Sequence, residues 1–187
     1  MVRWQPDARG RLQQAALALY DERGFENTTV AQIAESAGLT KRTFFRHFGD
    51  KREVLFAGSE QLEELLVGGV AAAPDSATPL QAVAEALDAA ATMFEQGREY
   101  AARRQRVIAA NPELRERELI KLASLAASVA DALRRRGVED SAATLTAEAG
   151  ITVFRISFQR WVDEANRKDL GRLIRDSLKE LRAVTAA

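Results

Sequence analysis

The 187-residue chain has no cysteine, one histidine, four prolines, eleven glycines and only 6% aromatic residues. Without cysteine there is no disulfide, thiol nucleophile or thiolate zinc site, and His47 alone cannot build a multi-histidine metal centre. No metal and no cofactor is therefore expected. The 27 Lys+Arg balance 27 Asp+Glu, so no overall field draws the chain to a polyanion or an anionic membrane, and any such affinity must be local. Long apolar runs are missing too. The opening MVRWQPDARGRLQQAALALY is broken by charges, and the alanine-rich tracts further on are interrupted by Asp, Glu or Arg, so neither an export signal nor a membrane span is expected. The cytoplasm is the expected location. What is present is apolar mass, 47% hydrophobic by count, enough for a packed core and too much for a disordered tail.

The apolar residues recur at three- and four-residue spacing and almost nowhere at two, so the expected fold is all-α with about nine helices. The first helix runs from about Asp7 to Arg23, with Leu12, Ala15, Ala16, Leu19 and Tyr20 on one stripe, and Gly24 follows where a left-handed cap is needed. Thr29 and Gln32 form a capping box that opens a second helix ending at Gly38. Thr40 caps a third, KRTFFRHF, and a second box, Asp50 to Glu53, is expected to launch a fourth helix reaching about Val70. AAAPDSATP, residues 71–79, is the clearest composition break. Further helices are expected at about 79–96, 99–110, 112–136, 141–164 and 169–184. Asn111-Pro112 is the N-cap and N1 pair of one, Gly137 ends it, and Asp169 caps the last.

TTVAQIAESAGLTKRTFFRHFGDK reads as a helix-turn-helix. Val30, Ile33, Ala34 and Ala37 make the inner stripe of one short helix, Gly38 permits a tight turn, Leu39 plugs the corner, and Phe44 and Phe48 face inward from the next. Ala34 is small where two helices cross at about 90–120°. The outer face presents Thr40, Lys41, Arg42, Thr43 and Arg46, hydroxyls and cations able to reach phosphates and base edges in a major groove. Residues 1–56 hold nine Lys/Arg against seven acids, and five of those cations lie between Leu39 and Arg52 with Asp50 as the one acid. Arg3 and Trp4 precede the first helix, either as an arm for a minor groove or as a frayed end.

The stretch RGRLQQAALALYDERGFENTTVAQIAESAGLTKRTFFRHFGDKREVLF resembles the DNA-binding domain of the tetracycline-repressor-like (TetR) family of transcriptional regulators, with Ala16, Gly24-Phe25, Thr28-Thr29-Val30, Ile33-Ala34, Ala37-Gly38, Thr43, His47-Phe48 and Lys51 in register. The resemblance implies a three-helix DNA-binding domain, residues 1–56, and a helical effector-binding and dimerisation domain, residues 57–187. It also implies residue roles. Thr40, Lys41, Arg42 and Thr43 would read bases and phosphates, Thr28 and Thr29 would meet a phosphate, and Phe45 and His47 would offer an aromatic and an imidazole to the DNA backbone. Lys51 would bring a cation to phosphate beside the next helix. Phe45 departs from the family's usual tyrosine and lacks the hydroxyl that would bond a phosphate.

Beyond the break, Met93, Phe94, Tyr100, Phe154, Phe158 and Trp161 are large among Ala and Leu; such residues line a cavity or simply fill a core. Arg103, with Arg104 and Arg106, would pair an acidic effector or form a solvated basic face. The last two helices carry the stripes Leu145, Ala149, Val153, Ile156 and Leu170, Ile174, Leu178, Leu181, which pack on their own domain or, as the resemblance implies, form a four-helix bundle with a second copy. A dimer also suits function, since two recognition helices about 34–36 Å apart read a palindrome. No catalytic constellation is visible, so an enzyme is not expected. The reading is a dimeric regulator, a repressor, that binds a palindromic operator in double-stranded DNA and is released by a small-molecule effector of unknown identity. The alternative is a helical small-molecule-binding or adaptor protein without sequence-specific DNA binding.

Overall fold

The computed structural model of the chain describes residues 8–94, 97–163 and 168–185. Among these there are nine α-helices and no strand. They are α1 (Ala8–Arg23), α2 (Val30–Ser36), α3 (Lys41–His47), α4 (Ser59–Ala72), α5 (Pro79–Ala91), α6 (Arg98–Ala110), α7 (Pro112–Arg135), α8 (Asp140–Val162) and α9 (Leu170–Thr185). None is long and apolar enough to cross a membrane. The all-α expectation holds. Asp7, Arg3 and Trp4 lie outside the described residues, as do Glu95 and Gln96.

The chain forms two compact units. One comprises the described residues through Ala57 together with Arg103–Glu118; the other comprises Gly58–Ala102 and the residues from Leu119 onward. In the first unit α1 packs on α2 and α3 around Leu12, Ala16, Phe25, Ile33, Ala34 and Phe44, all at most 2% exposed. The turn between α2 and α3 closes as the glycine predicts. Gly38 sits at φ +65°, its amide donates to Glu35 O at 2.9 Å, and the Leu39 amide reaches Ala34 O at 2.8 Å, the two bonds of a Schellman cap. A Cβ on residue 38 would meet the Arg11 guanidinium at 2.8 Å, which itself donates to the Ala37 carbonyl. The positive φ is what demands glycine there; the Arg11 guanidinium is the far end of a flexible side chain and can shift.

One expected element is different. Asp50 Oδ1 does accept from the amides of Arg52, at 2.8 Å, and Glu53, at 3.1 Å, but the helix it opens is a single 3-10 turn, Glu53–Phe56, and α4 begins afresh at Ser59. Two carbonyls that a continuous helix would hand to amides four residues on are bonded to arginines instead, Leu55 O to Arg104 and Ala57 O to Arg9. The Glu53 carboxylate, which a closed capping box would turn back, bonds Arg117 at 2.6 Å.

In the second unit α5 is central, packed on α4, α8 and α9. Gly69 lets α4 approach so closely that a Cβ there would lie 2.9 Å from Ala86 Cα, and Gly150 on α8 does the same for Val83. The α9 stripe Leu170, Ile174 and Leu178 is buried in this core, as is Val153 of α8, so these four residues pack on their own unit. A buried polar pair, Ser157 and Ser177 with oxygens 3.1 Å apart, pins the register of α8 on α9.

Candidate nucleic-acid interface

The α2–turn–α3 pair presents its outer row as the sequence arranges it. Thr40 caps α3, its hydroxyl accepting from the Thr43 amide at 3.1 Å and lying 3.1 Å from Thr43 Oγ1. Lys41, Arg42, Phe45 and Arg46 follow on the exposed side, and Thr43 is half-buried. Phe44, between them, points inward and stacks edge-on against Phe45 at 5.4 Å and tilted against Phe48 at 5.6 Å. Phe45 keeps 57% of its surface exposed; with no hydroxyl, the contact it can offer a nucleic acid is apolar. Thr29 caps α2 through a complete capping box with Gln32 and remains exposed.

Two expected contacts are engaged within the protein, and a third residue is half-buried. Thr28 is 1% exposed and its hydroxyl donates to Gly24 O at 2.8 Å, so it closes the end of α1 and is withdrawn from a phosphate by burial. The Lys51 ammonium donates to Phe25 O at 2.8 Å, Thr28 O at 3.1 Å and Glu26 O at 3.4 Å and lies 4.2 Å above the Phe25 ring, while Tyr20 Oη donates to the Lys51 carbonyl at 2.6 Å. Lys51 ties the α1–α2 loop to the turn after α3, and its three donors are committed there. His47 is half-buried, with Nε2 buried and unbonded. The Lys51 acceptors lie more than twenty residues away in sequence, outside any local pattern.

Lys51→Ala is accordingly expected to lower the melting temperature of the first unit, at a cost of about 1.5 kcal/mol, the low end for bonds to a charged group because the ammonium is half exposed. The slope of DNA affinity against salt is expected to stay unchanged. A slope flattened by about one phosphate contact, with stability intact, would return Lys51 to the phosphate role.

Near the turn after α3, burial pushes the Asp50 carboxyl up, but the Arg52 side chain and the Glu53 and Arg52 amides outweigh it and hold the group below the usual carboxylate range. The negative charge at this cap therefore persists as the pH falls into the range where ordinary carboxylates protonate.

In the second unit, Phe94 lies 6.0 Å from Phe154, 5.5 Å from Phe158 and 6.2 Å from Trp161, and Met93, Phe94 and Phe158 are half-buried against the core. Five of the seven effector-pocket candidates are thus brought to one apolar region. Tyr100 stands half-buried on α6. Arg103 falls in the other unit, where its Nε bonds Asp21 Oδ2 at 2.6 Å; that pairing takes it away from an acidic effector.

Comparison with known proteins extends over most of the chain. The profile of bacterial regulatory proteins of the tetR family matches residues 12–57, and that of the MftR C-terminal domain matches residues 77–186. The HTH-type transcriptional regulator TcmR of Streptomyces glaucescens is 40% identical over 81 residues, 43% of this chain and 36% of TcmR; the alignment spans about a third of that relative's length. Among solved structures, the SmeT–triclosan complex superimposes with a TM-score of 0.64 at 20% identity over 96% of this chain and 91% of that one; SmeT is described as the repressor of the Stenotrophomonas maltophilia multidrug efflux pump SmeDEF. FadR of Bacillus subtilis in complex with stearoyl-CoA gives 0.62 at 19% identity over 91% of this chain and 95% of that one.

Proposed function

The chain belongs to the tetR family of bacterial regulatory proteins, and on that premise we propose that it is a DNA-binding transcriptional regulator, a repressor, that recognises a palindromic operator as a homodimer in the cytoplasm and is released by a small molecule. The observation that carries this reading is the exposed row Thr40, Lys41, Arg42 and Arg46 on a helix held by the Gly38 turn. A positive row on a rigid second helix fits a major groove, where cations contact phosphates and a bidentate arginine reads guanine. Residues 1–56 are the reading domain in this proposal and residues 57–187 the effector-binding and dimerising domain. The effector site is the region of Met93, Phe94, Phe154, Phe158 and Trp161. Dimerisation uses the exposed side of α8, with α9 alongside. The match to a family of regulatory proteins supports a regulator over an enzyme.

Selection of bound sequences from a random duplex pool tests the reading. The expected product is an inverted repeat with half-sites about one helical turn apart. Arg42→Ala is expected to relax the preference at one position of each half-site, with a loss of about 1–3 kcal/mol per bidentate contact. No enrichment at low salt would leave the ligand-binding or adaptor alternative.

A further inference from the structure

α3 is seven residues long and buries one side chain of its own, Phe44. A single anchor in the middle of a helix of about two turns sets its depth and leaves its swing to whatever holds its ends. Both ends are held by arginines of α1. At the start, Arg11 Nη2 donates to the Ala37 carbonyl and reaches the Gly38 carbonyl at 3.4 Å. These two acceptors are left over by the α2–α3 turn, whose own amides go to Ile33 O, Ala34 O and Glu35 O. A cation there also meets the negative end of α2. At the finish, Arg9 Nη2 donates to Ala57 O at 2.8 Å, and its guanidinium lies 5.7 Å over the ring of Phe48. Phe48 caps α3, its amide returning to Phe44 O at 2.9 Å. Two residues apart on a helix of 3.6 residues per turn, the two arginines leave α1 about 200° apart, on either side of the buried stripe of Leu12 and Ala16. α1 thus straddles α3 with one arginine at each end.

We propose that Arg9 and Arg11 are positioning residues that set the sequence discrimination of the DNA-reading unit by holding the two ends of α3, with no contact of their own to DNA. The inference rests on the regulator reading for its purpose. Phosphate contacts tolerate a helix that rocks, because a cation on a flexible stem follows the phosphate. Base-edge contacts do not, since a bidentate pair needs both bonds in place at once. Side chains that read bases must be held to about 0.5 Å and 10–20° by the residues behind them. Loosening either end of α3 therefore costs specific binding and spares binding to arbitrary duplex. The two arginines differ in what replaces them. One nitrogen, Nη2, makes both Arg11 bonds, a role a lysine ammonium reproduces. Arg9 combines a bond with a planar guanidinium laid over a ring, and lysine lacks that plane.

The test uses the full chain and two readouts. Duplexes are selected from a random pool with the wild-type protein, and affinity for the selected sequence is compared with affinity for the unselected pool in Arg9→Gln, Arg11→Gln, Arg9→Lys and Arg11→Lys. The two glutamine variants and Arg9→Lys are each expected to lower that ratio about tenfold, the equivalent of one bond to a charged group. Pool affinity and its slope against salt are expected to stay unchanged, and Arg11→Lys is expected to keep the ratio. The second readout needs no DNA. The chain has no cysteine, so cysteines placed at exposed Glu22 of α1 and exposed Arg46 of α3 take nitroxides, and labelled chain diluted into unlabelled chain reports the α1–α3 distance within one copy. Its distribution is expected to broaden in the same variants that lose discrimination, with amide protection of α1 retained. Either readout remaining at its wild-type value in every variant overturns the proposal. So does a salt slope flattened by about one phosphate contact with the ratio intact, which would put the arginines on DNA. Should a glutamine variant fail to fold, the lysine variants decide: a lower ratio and a broader distribution in Arg9→Lys than in Arg11→Lys support the proposal, and equality overturns it. If the distances broaden while the wild-type chain selects no sequence, the hold on α3 stands and the DNA reading falls.

Discussion

Phe44→Ala is expected to unfold the DNA-reading unit while the helices of the second unit stay folded. The ring is 0% exposed and touches both Phe45 and Phe48, so truncation leaves a cavity on the inner face of α3. Such a change costs about 3–5 kcal/mol. Neither α2 nor α3 exceeds seven residues, and isolated helices shorter than about 12 residues are marginal in water, so packing is what keeps them helical. A loss of that size is a large part of the roughly 5–15 kcal/mol that holds a typical domain. Hydrogen exchange measured by segment would show α1 to α3 losing protection and α5 and α8 keeping it, with DNA retention abolished. Phe45→Ala is the control: its ring is mostly solvent-facing, and protection should be unchanged. Protection surviving in α1 to α3 of Phe44→Ala would show that Phe44 is not the anchor of the head.

The parts of this head that were legible from sequence are those whose causes are local. Gly38 at positive φ, the Thr29–Gln32 box and the Thr40 cap each depend on residues within a few positions. The same reasoning fails at Asp50. The box is half made, and what stops the helix is Arg104, Arg9 and Arg117 taking its carbonyls and its carboxylate from far along the chain. The resemblance implies a phosphate role for Thr28 and Lys51, whereas the structure places the first in the core and the second on three carbonyls. Arg103 was legible as a cation but its partner Asp21 was not. In the second unit the aromatic spacing of Phe154, Phe158 and Trp161 predicts one shared face, and Phe94, in the 3-10 turn Thr92–Phe94 after α5, completes it. Periodicity showed that the α9 stripe is buried somewhere. Only the packing shows that Leu170, Ile174 and Leu178 spend that surface on their own unit.

The remaining apolar surface of α8 points to the second large effect. Leu145 is 69% exposed and Ile156 40% exposed, and half-buried Ala149 and exposed Thr152 lie between them at helical spacing, so among the described residues one stripe of the helix is left largely uncovered. On α9 Val184 is 74% exposed, which leaves apolar surface near the end of that helix too. Exposed leucine and isoleucine on one stripe are costly to leave wet, at about 25 cal/mol for each Å² a partner would cover. A two-fold pairing of α8 with its copy brings each residue against the same surface of the other chain. Leu145→Glu combined with Ile156→Glu would bring the carboxylates of both copies into that one contact, and is expected to yield a monomer in sedimentation with the helix content unchanged. Operator affinity should then fall by at least about 100-fold, because the second half-site is no longer held at high effective concentration. Weak binding to arbitrary duplex should persist, since each head keeps its own cations. A double variant that sediments as a dimer would move the interface away from this stripe. One that is monomeric yet binds the full operator undiminished would show that a single head suffices for recognition.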